Sequence, residues 1–393
     1  MPSCEGFPGY DPLIGPGSRL GAHGQSLLIA LRNKERETAA AIPADTPLDP
    51  YRRRRVELTL TEMRRQPEAI AETLEREVDA IQDVARGFAR RHLDRVYLVG
   101  CGDSLSAGIA VRPLFEHLLG IPCEALQALD YSHYLYHPTG NQTAIVAISS
   151  SGVTPRTVEA LMRARSQGAL TVGVSNTRES PLIREADFGL YVHAERKGWP
   201  TQASTAAMAM LYSFGIEIGR VRGMETASAR RELVQIPTLV ATTLERFDPP
   251  MAQLGAELAS RPTFLFAGAG QSWATAQFGA AKVRECTPGH AVPIHLEEFH
   301  HYNSQKAGDP LFVIAPNGPS LSRALDTVRA GKTWGGMVYV LTGPDDPGDR
   351  SADHIFMLPQ VSEVFSPLVY VVPLQLFAYH LATAQFANAE SAI

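Results

Sequence analysis

The residues with the clearest chemical promise are hydroxyls gathered where an apolar run stops. In AIVAISSSGVTPRTVEAL (144–161) the run ends at about Ile148, and Ser149, Ser150, Ser151, Gly152 and Thr154 follow before a helical pattern opens at Pro155. Glycine permits a tight turn without a Cβ, and proline is well tolerated in a first helical turn. Such a junction forms a cup of hydroxyls and free backbone N–H groups at a helix N-terminus, suited to an anion and above all to phosphate. The same residue types also make an ordinary N-cap, and the turn taken alone leaves both readings open. Two more junctions raise the odds of the cup. GCGDS (100–104) also follows a strand-like run and opens a helix, and PTQASTAAM (200–208) places Ser204 and Thr205 at the start of another.

Other polar groups read less pointedly. Lys282 and Glu285 in GAAKVRE (279–285) share one helical face, and spacing alone favours an exposed ion pair. His295, Glu297, Glu298, His300 and His301 cluster without a zinc spacing such as H-E-x-x-H, so neither metal nor cofactor is expected. Arg52–Arg55 reads as a solvated helix entrance rather than a phosphate patch. His380, in an apolar helix, reads as a satisfied core histidine.

These groups need a scaffold. The chain has 393 residues, enough for about two to three domains. A net charge of −5 provides no electrostatic pull toward nucleic acid. No run of about 18 apolar residues predicts a membrane span, and the N-terminus lacks the pattern of a secretory signal. Cys4, Cys101, Cys123 and Cys286 lie far apart with no C-x-x-C pair, which suggests neither a zinc site nor a disulfide framework and points to a reducing cytoplasm.

The chain nearly repeats itself. RVYLVGCGDS (95–104), AIVAISSSG (144–152) and FGLYV (188–192) are echoed by PTFLFAGAGQS (262–272), LFVIAPNG (311–318) and HIFML (354–358). Gly100 and Gly268 differ by 168 positions, while Gly152 and Gly318, and Asp187 and Asp353, differ by 166. A nearly constant offset indicates two similar domains in tandem. Strands alternate with helical patterns in each, so the fold class is α/β, with parallel sheets flanked by helices and ligands expected at the carboxyl ends of strands. Ala315-Pro316-Asn317 stands where the first copy has three serines, which assigns the anion site to the first copy. The expected organisation is a poorly ordered extension over 1–55 with one short helix around Gln25–Glu37, a first domain over 56–225, and a linker helix with a second domain over 226–393.

These motifs resemble the sugar isomerase (SIS) domain superfamily, and within it the isomerase half of glutamine–fructose-6-phosphate aminotransferases, from about Leu60 to about Ala384. EMRRQPEAI (62–70), GCGDS, SSSGVT, QAST and VVPLQLFAYHLA (371–382) follow in the family's order and spacing. The resemblance implies two tandem SIS domains, each a flavodoxin-like three-layer sandwich. It implies that Ser104, Ser149, Ser151 and Thr154 hold a phosphate, with Ser150 in the same loop, and that Gly102, Asp103 and Ser204 line the sugar. Glu285 then falls on the proton-shuttling glutamate, Lys282 on its neighbouring lysine, and His301 on a ring-opening histidine supplied by a partner subunit, which implies a homodimer with a shared active site. The expected ligand is a small sugar phosphate.

Departures from the family pattern shape the expected activity. No glutaminase segment with its nucleophilic cysteine at position two is found, so the reaction is expected to be glutamine-independent. The tail AQFANAESAI carries no lysine for imine formation. Asp103 replaces a hydroxyl residue and Ser150 a glutamine, and a carboxylate near a phosphate calls for an ammonium or a sugar hydroxyl to face. The leading expectation is a phosphosugar isomerase or aminosugar-phosphate deaminase working by enediol proton transfer between C1 and C2. A fructosamine-phosphate deglycase and a non-catalytic sugar-phosphate sensor are the alternatives.

Overall fold

A computed structural model of the chain describes residues 12–40, 46, 48–135, 140–302, 304–344 and 349–392. Four helices lead in: α1 (Ala22–Ala40), α2 (Pro50–Arg64), α3 (Gln66–Arg76) and α4 (Val78–Ala89). The first alternating unit is β1 (Arg95–Gly100), α5 (Asp103–Leu119), β2 (Cys123–Gln127), α6 (Ala128–Tyr134), β3 (Thr143–Ile148), α7 (Pro155–Ser166), β4 (Leu170–Ser175), α8 (Pro181–Arg184), β5 (Phe188–Tyr191) and α9 (Gln202–Val221). The long helix α10 (Ala227–Glu257) then leads to β6 (Thr263–Gly268), α11 (Gln271–Cys286), β7 (His290–His295), α12 (Leu296–His301), β8 (Pro310–Ala315), α13 (Leu321–Thr333), β9 (Met337–Thr342), β10 (His354–Met357) and α14 (Ser366–Ser391).

The two halves have one topology. The first sheet is ordered β2-β1-β3-β4-β5, and the second, read from its other edge, β7-β6-β8-β9-β10. All strand pairs are parallel. This is the flavodoxin-like order, whose direction reverses between the first and third strands and leaves a crevice beyond their carboxyl ends. β3 (TAIVAI) and β8 (PLFVIA) are buried at every position, as strands covered on both faces must be. Asp187 and Asp353 do equivalent work. Asp187 accepts from the Thr171 N–H at 2.9 Å, and Asp353 from the Val338 N–H at 2.6 Å, each tying the start of the fourth strand to the fifth.

The core runs through both halves. Helix α14 packs on α10 and α11, and α5 packs on α9 and α11. The segment Glu363–Ser391 is long and apolar enough to cross a membrane, yet 83% of its most apolar window is buried within the fold, the state of a core helix that is apolar on all sides.

The N-terminal extension departs from its expected looseness. Residues 1–11, including Cys4, lie outside the described residues. The helix expected at 25–37 extends over Ala22–Ala40, and Leu13, Leu20, Leu28 and Leu31 are buried with Val158, Leu161 and Met162 of α7. Arg32 Nε also donates to the buried Glu159 carboxylate at 2.5 Å. Leu28 and Leu31 form one helical face, a pattern that the Gly, Pro and Ala around them obscure. Helix α2 starts inside the predicted extension, where Pro50 occupies the first turn and the Asp49 side chain accepts from the Tyr51 N–H.

Candidate active site

The crevice of the first sheet holds a cleft of about 280 Å³. Gly102, Asp103, Ser104, Ser149, Ser150, Ser151, Thr154, Ser204 and Glu285 all line it. Three junctions supply these groups. The β1–α5 turn brings 102–104, and Gly102 holds φ +55°, a left-handed value that favours glycine. The β3–α7 turn brings 149–154. Its Gly152 has φ +64°, and a Cβ there would overlap the Ser180 side chain. The start of α9 brings Ser204. Glu285 comes from α11 of the second half, which crosses α5 and so reaches the first half's crevice.

The hydroxyl cup is internally ordered. Ser149 Oγ lies 2.9 Å from Thr154 Oγ1 and 3.5 Å from Ser151 Oγ, and the Gly152 N–H donates to Ser149 Oγ at 3.1 Å. Thr154 is the N-cap of α7, but its hydroxyl does not bond the helix's own N–H groups. Ser150 donates to Asn176 Oδ1 at 2.9 Å, whose amide in turn holds the carbonyls of Val192 and Ala194. Ser150 is therefore engaged with the scaffold, while Ser149, Ser151 and Thr154 face one another across the turn. The second half's cup is filled differently. The Glu363 carboxyl packs against Gly318, where a Cβ would overlap it, and burial pushes that carboxyl's pKa up.

At the other side of the cleft, one ammonium is shared by two carboxylates. Lys282 Nζ donates to Asp103 Oδ2 at 2.8 Å and also to Glu285 Oε2. Asp103 further accepts from Ser204 Oγ at 2.9 Å. Lys282 is 1% exposed, so the reading of Lys282 and Glu285 as an exposed pair does not hold. Burial alone would lower the lysine's pKa, but the Asp103 and Glu285 charges outweigh it and raise that pKa, keeping the ammonium charged. Glu285 is pushed up by burial and by Asp103, against the pull of Lys282. The carboxylate at position 103 thus faces an ammonium, that of the protein's own lysine.

Other predicted residues lie elsewhere. His301 sits at the end of α12 with its side chain 64% exposed, 3.7 Å from Glu297, and does not line the cleft. Glu297 pairs with Arg323, and His300 meets Thr327 Oγ1 at 3.0 Å. His380 meets Asp248 Oδ1 at 2.6 Å. The arginine run is half as expected. Arg53 and Arg54 are exposed and pair with Glu390 and Glu57. Arg52 and Arg55, three apart on the other face of α2, turn inward. Arg52 donates to the Glu285 carbonyl at 2.8 Å, and the Arg55 guanidinium lies 3.6 Å over the Trp199 ring. The sequence reading missed Asn176 and Arg196 in the cleft wall. Their signal was positional, since both follow strand carboxyl ends.

Two doubly wound sheets of one topology, with a polar cleft at the first sheet's crevice, define a tandem flavodoxin-like α/β protein. The SIS domain family matches residues 91–216 and 257–385, one match per sheet, and the chain belongs to that family. The glutamine–fructose-6-phosphate aminotransferase (isomerizing) of Thermus thermophilus is 32% identical over 335 residues, covering 82% of this chain and 55% of that protein. The protein of the same name from Streptomyces coelicolor is 32% identical over 348 residues, covering 83% and 56%. The chain spans about half the length of these relatives. Among solved structures, the C-terminal domain of glucosamine-fructose-6-phosphate aminotransferase from Francisella tularensis has a TM-score of 0.76 at 23% identity, covering 83% of this chain and 96% of that one, a likeness of fold.

Proposed function

We propose that this chain isomerises a phosphorylated sugar or amino sugar, moving a proton between C1 and C2 through an enediol, or, where C2 carries an amine, through an enolamine to a C2 imine that water hydrolyses to the ketose with release of ammonia. The observation that carries this reading is one cleft lined both by the hydroxyl cup and by the Glu285 carboxylate. Phosphate in the cup would receive hydrogen bonds from Ser104, Ser149, Ser151 and Thr154 and from N–H groups at the start of α5 and α7. That anchor sets the open-chain carbons against Glu285. A carboxylate whose pKa is raised is a better base near neutral pH than an ordinary one. Lys282 acts as a positioning residue. It is buried behind the cleft and holds Glu285 in one orientation. Ring opening falls to His301 of a partner subunit in a homodimer, and its exposure on α12 leaves it free to reach a neighbouring cleft.

The test is incubation of the chain with glucose 6-phosphate, fructose 6-phosphate, glucosamine 6-phosphate and a fructosamine 6-phosphate adduct, with products followed by phosphorus and proton NMR and ammonia assayed in parallel. Turnover that is lost in Glu285→Gln is expected. The product then separates isomerase, deaminase and deglycase. Tight binding without turnover of any of the four would overturn the catalytic reading in favour of a sensor. The shared site is tested by mixing Glu285→Gln with His301→Ala. Each is inactive alone, and activity returns on subunit exchange if the two residues act across the dimer.

A further inference from the structure

The loop between β5 and α9 carries a cation that the proposed proton transfer leaves unused. Arg196 lines the cleft, and among the described residues it has no hydrogen-bond or ion-pair partner. Its acidic neighbour Glu195 is committed to Lys197 and Arg65. The loop is a built feature. The Glu62 carboxylate on α2 accepts from the N–H groups of Lys197 and Gly198, Thr59 accepts from the Trp199 N–H at 2.8 Å, and Arg55 stacks on the Trp199 ring at 3.6 Å. Arg196 and Glu285 line the same cleft, and Arg55 is held behind the loop, its Nε 3.5 Å from the Gly198 carbonyl. One guanidinium, that of Arg196, therefore shares the cleft with the proton-transfer carboxylate, while the phosphate cup has hydroxyls and N–H groups of its own. Arg196 is exposed at the cleft wall on a loop whose backbone is held, and an arginine so placed is suited to a carboxylate, which its planar fork can bind through two hydrogen bonds.

We propose that Arg196 recognises a second anionic group on the substrate, a carboxylate carried at the reacting end of the phosphosugar. This inference rests on the proposed phosphosugar reading of the cleft. It narrows the substrate class from simple sugar phosphates to phosphosugars that are acids or adducts bearing an acid.

The test uses two open-chain ligands that do not turn over and differ only at carbon 1: glucitol 6-phosphate, with a hydroxymethyl group, and 6-phosphogluconate, with a carboxylate. Both are titrated calorimetrically into the full chain. The carboxylate ligand is expected to bind about tenfold or more tighter, the scale of a charge-assisted hydrogen-bond pair. Arg196→Gln removes most of that difference and leaves glucitol 6-phosphate affinity within about twofold, and Arg196→Lys restores part of it. Equal affinities in the parent chain overturn the inference. So does an Arg196→Gln loss shared equally by both ligands, which would make Arg196 a phosphate ligand or a structural residue. A parallel Ser151→Ala variant separates this failure from that of the underlying reading. If neither ligand binds, or Ser151→Ala weakens neither, the phosphosugar reading falls and this inference falls with it.

Discussion

Lys282 and Asp103 lie 179 residues apart in the chain, and their charged groups meet at 2.8 Å. That bond joins the two halves of the molecule at the cleft. Because the same ammonium also holds Glu285, removing it leaves two half-buried carboxylates side by side. Lys282→Met is expected to abolish turnover and to destabilise the fold by about 3–5 kcal/mol, the range for breaking a buried pair at one partner. Adding Asp103→Asn should recover part of the stability and none of the activity. Urea unfolding of the two single variants and the double variant measures the coupling, and additive losses would refute the shared-ammonium account.

Glu285 has a raised pKa, so it takes up a proton earlier as pH falls. The acid limb of kcat is expected above the ordinary glutamate value of about 4.3. Stability has the matching sign. The contribution of a group raised in the folded state is present below its unfolded pKa and lost as pH rises through its folded pKa. Glu285→Gln removes that loss, so the variant should be at least as stable as the parent at neutral pH while its turnover falls by about 10²-fold or more. Thermal unfolding of both proteins across pH checks this, and a less stable glutamine variant at neutral pH would contradict it.

The hydroxyl cup should act on the phosphate end alone. Ser149→Ala, Ser151→Ala and Thr154→Ala are each expected to raise the Kd of a phosphosugar by about 10- to 150-fold, the range of one lost hydrogen bond to a charged group, with little change for the unphosphorylated sugar. Thr154 makes no side-chain cap to α7, so its loss should cost less than the typical cap value of about 1 kcal/mol. Calorimetry with phosphorylated and unphosphorylated ligand pairs reads the first effect, and urea unfolding reads the second.

Two glycines with similar φ should respond differently to alanine. Gly102 has φ +55° with nothing within 4 Å of an added Cβ, and Gly102→Ala should cost only backbone strain, on the order of 1 kcal/mol. Gly152 has φ +64° and lies against Ser180. Gly152→Ala must also shift the Ser180 side chain, so it should destabilise by more and weaken phosphate binding. Denaturation midpoints of the two variants rank them, and equal midpoints would show that the turn yields easily.

Much of the scaffold was legible in the sequence because it rests on local signals. The apolar runs that end at Gly100 and Ile148, the hydroxyls after them and the near-constant offset between the halves act over a few residues each, and together they specify strand, turn, helix and duplication. The quoted runs capture the first, third and fifth strands of each sheet. The half-exposed β2 and β7 carry mixed patterns that local reading does not separate from loop.

The cleft needed the tertiary structure. A lysine and a glutamate three apart on a helix have the same spacing whether they face water or a core, and only the crossing of α11 over α5 buries Lys282 against Asp103. The arginine run has one composition throughout, yet the helical turn sends Arg53 and Arg54 to solvent and Arg52 and Arg55 toward Glu285 and Trp199. Arg196 carries no motif at all. The sequence by itself determined which segments become strands, helices and cups, because those preferences belong to short stretches of backbone. Which charges meet, and which are left without a partner, was decided by packing between segments more than 100 residues apart, since burial and ion pairing depend on neighbours that local sequence does not name.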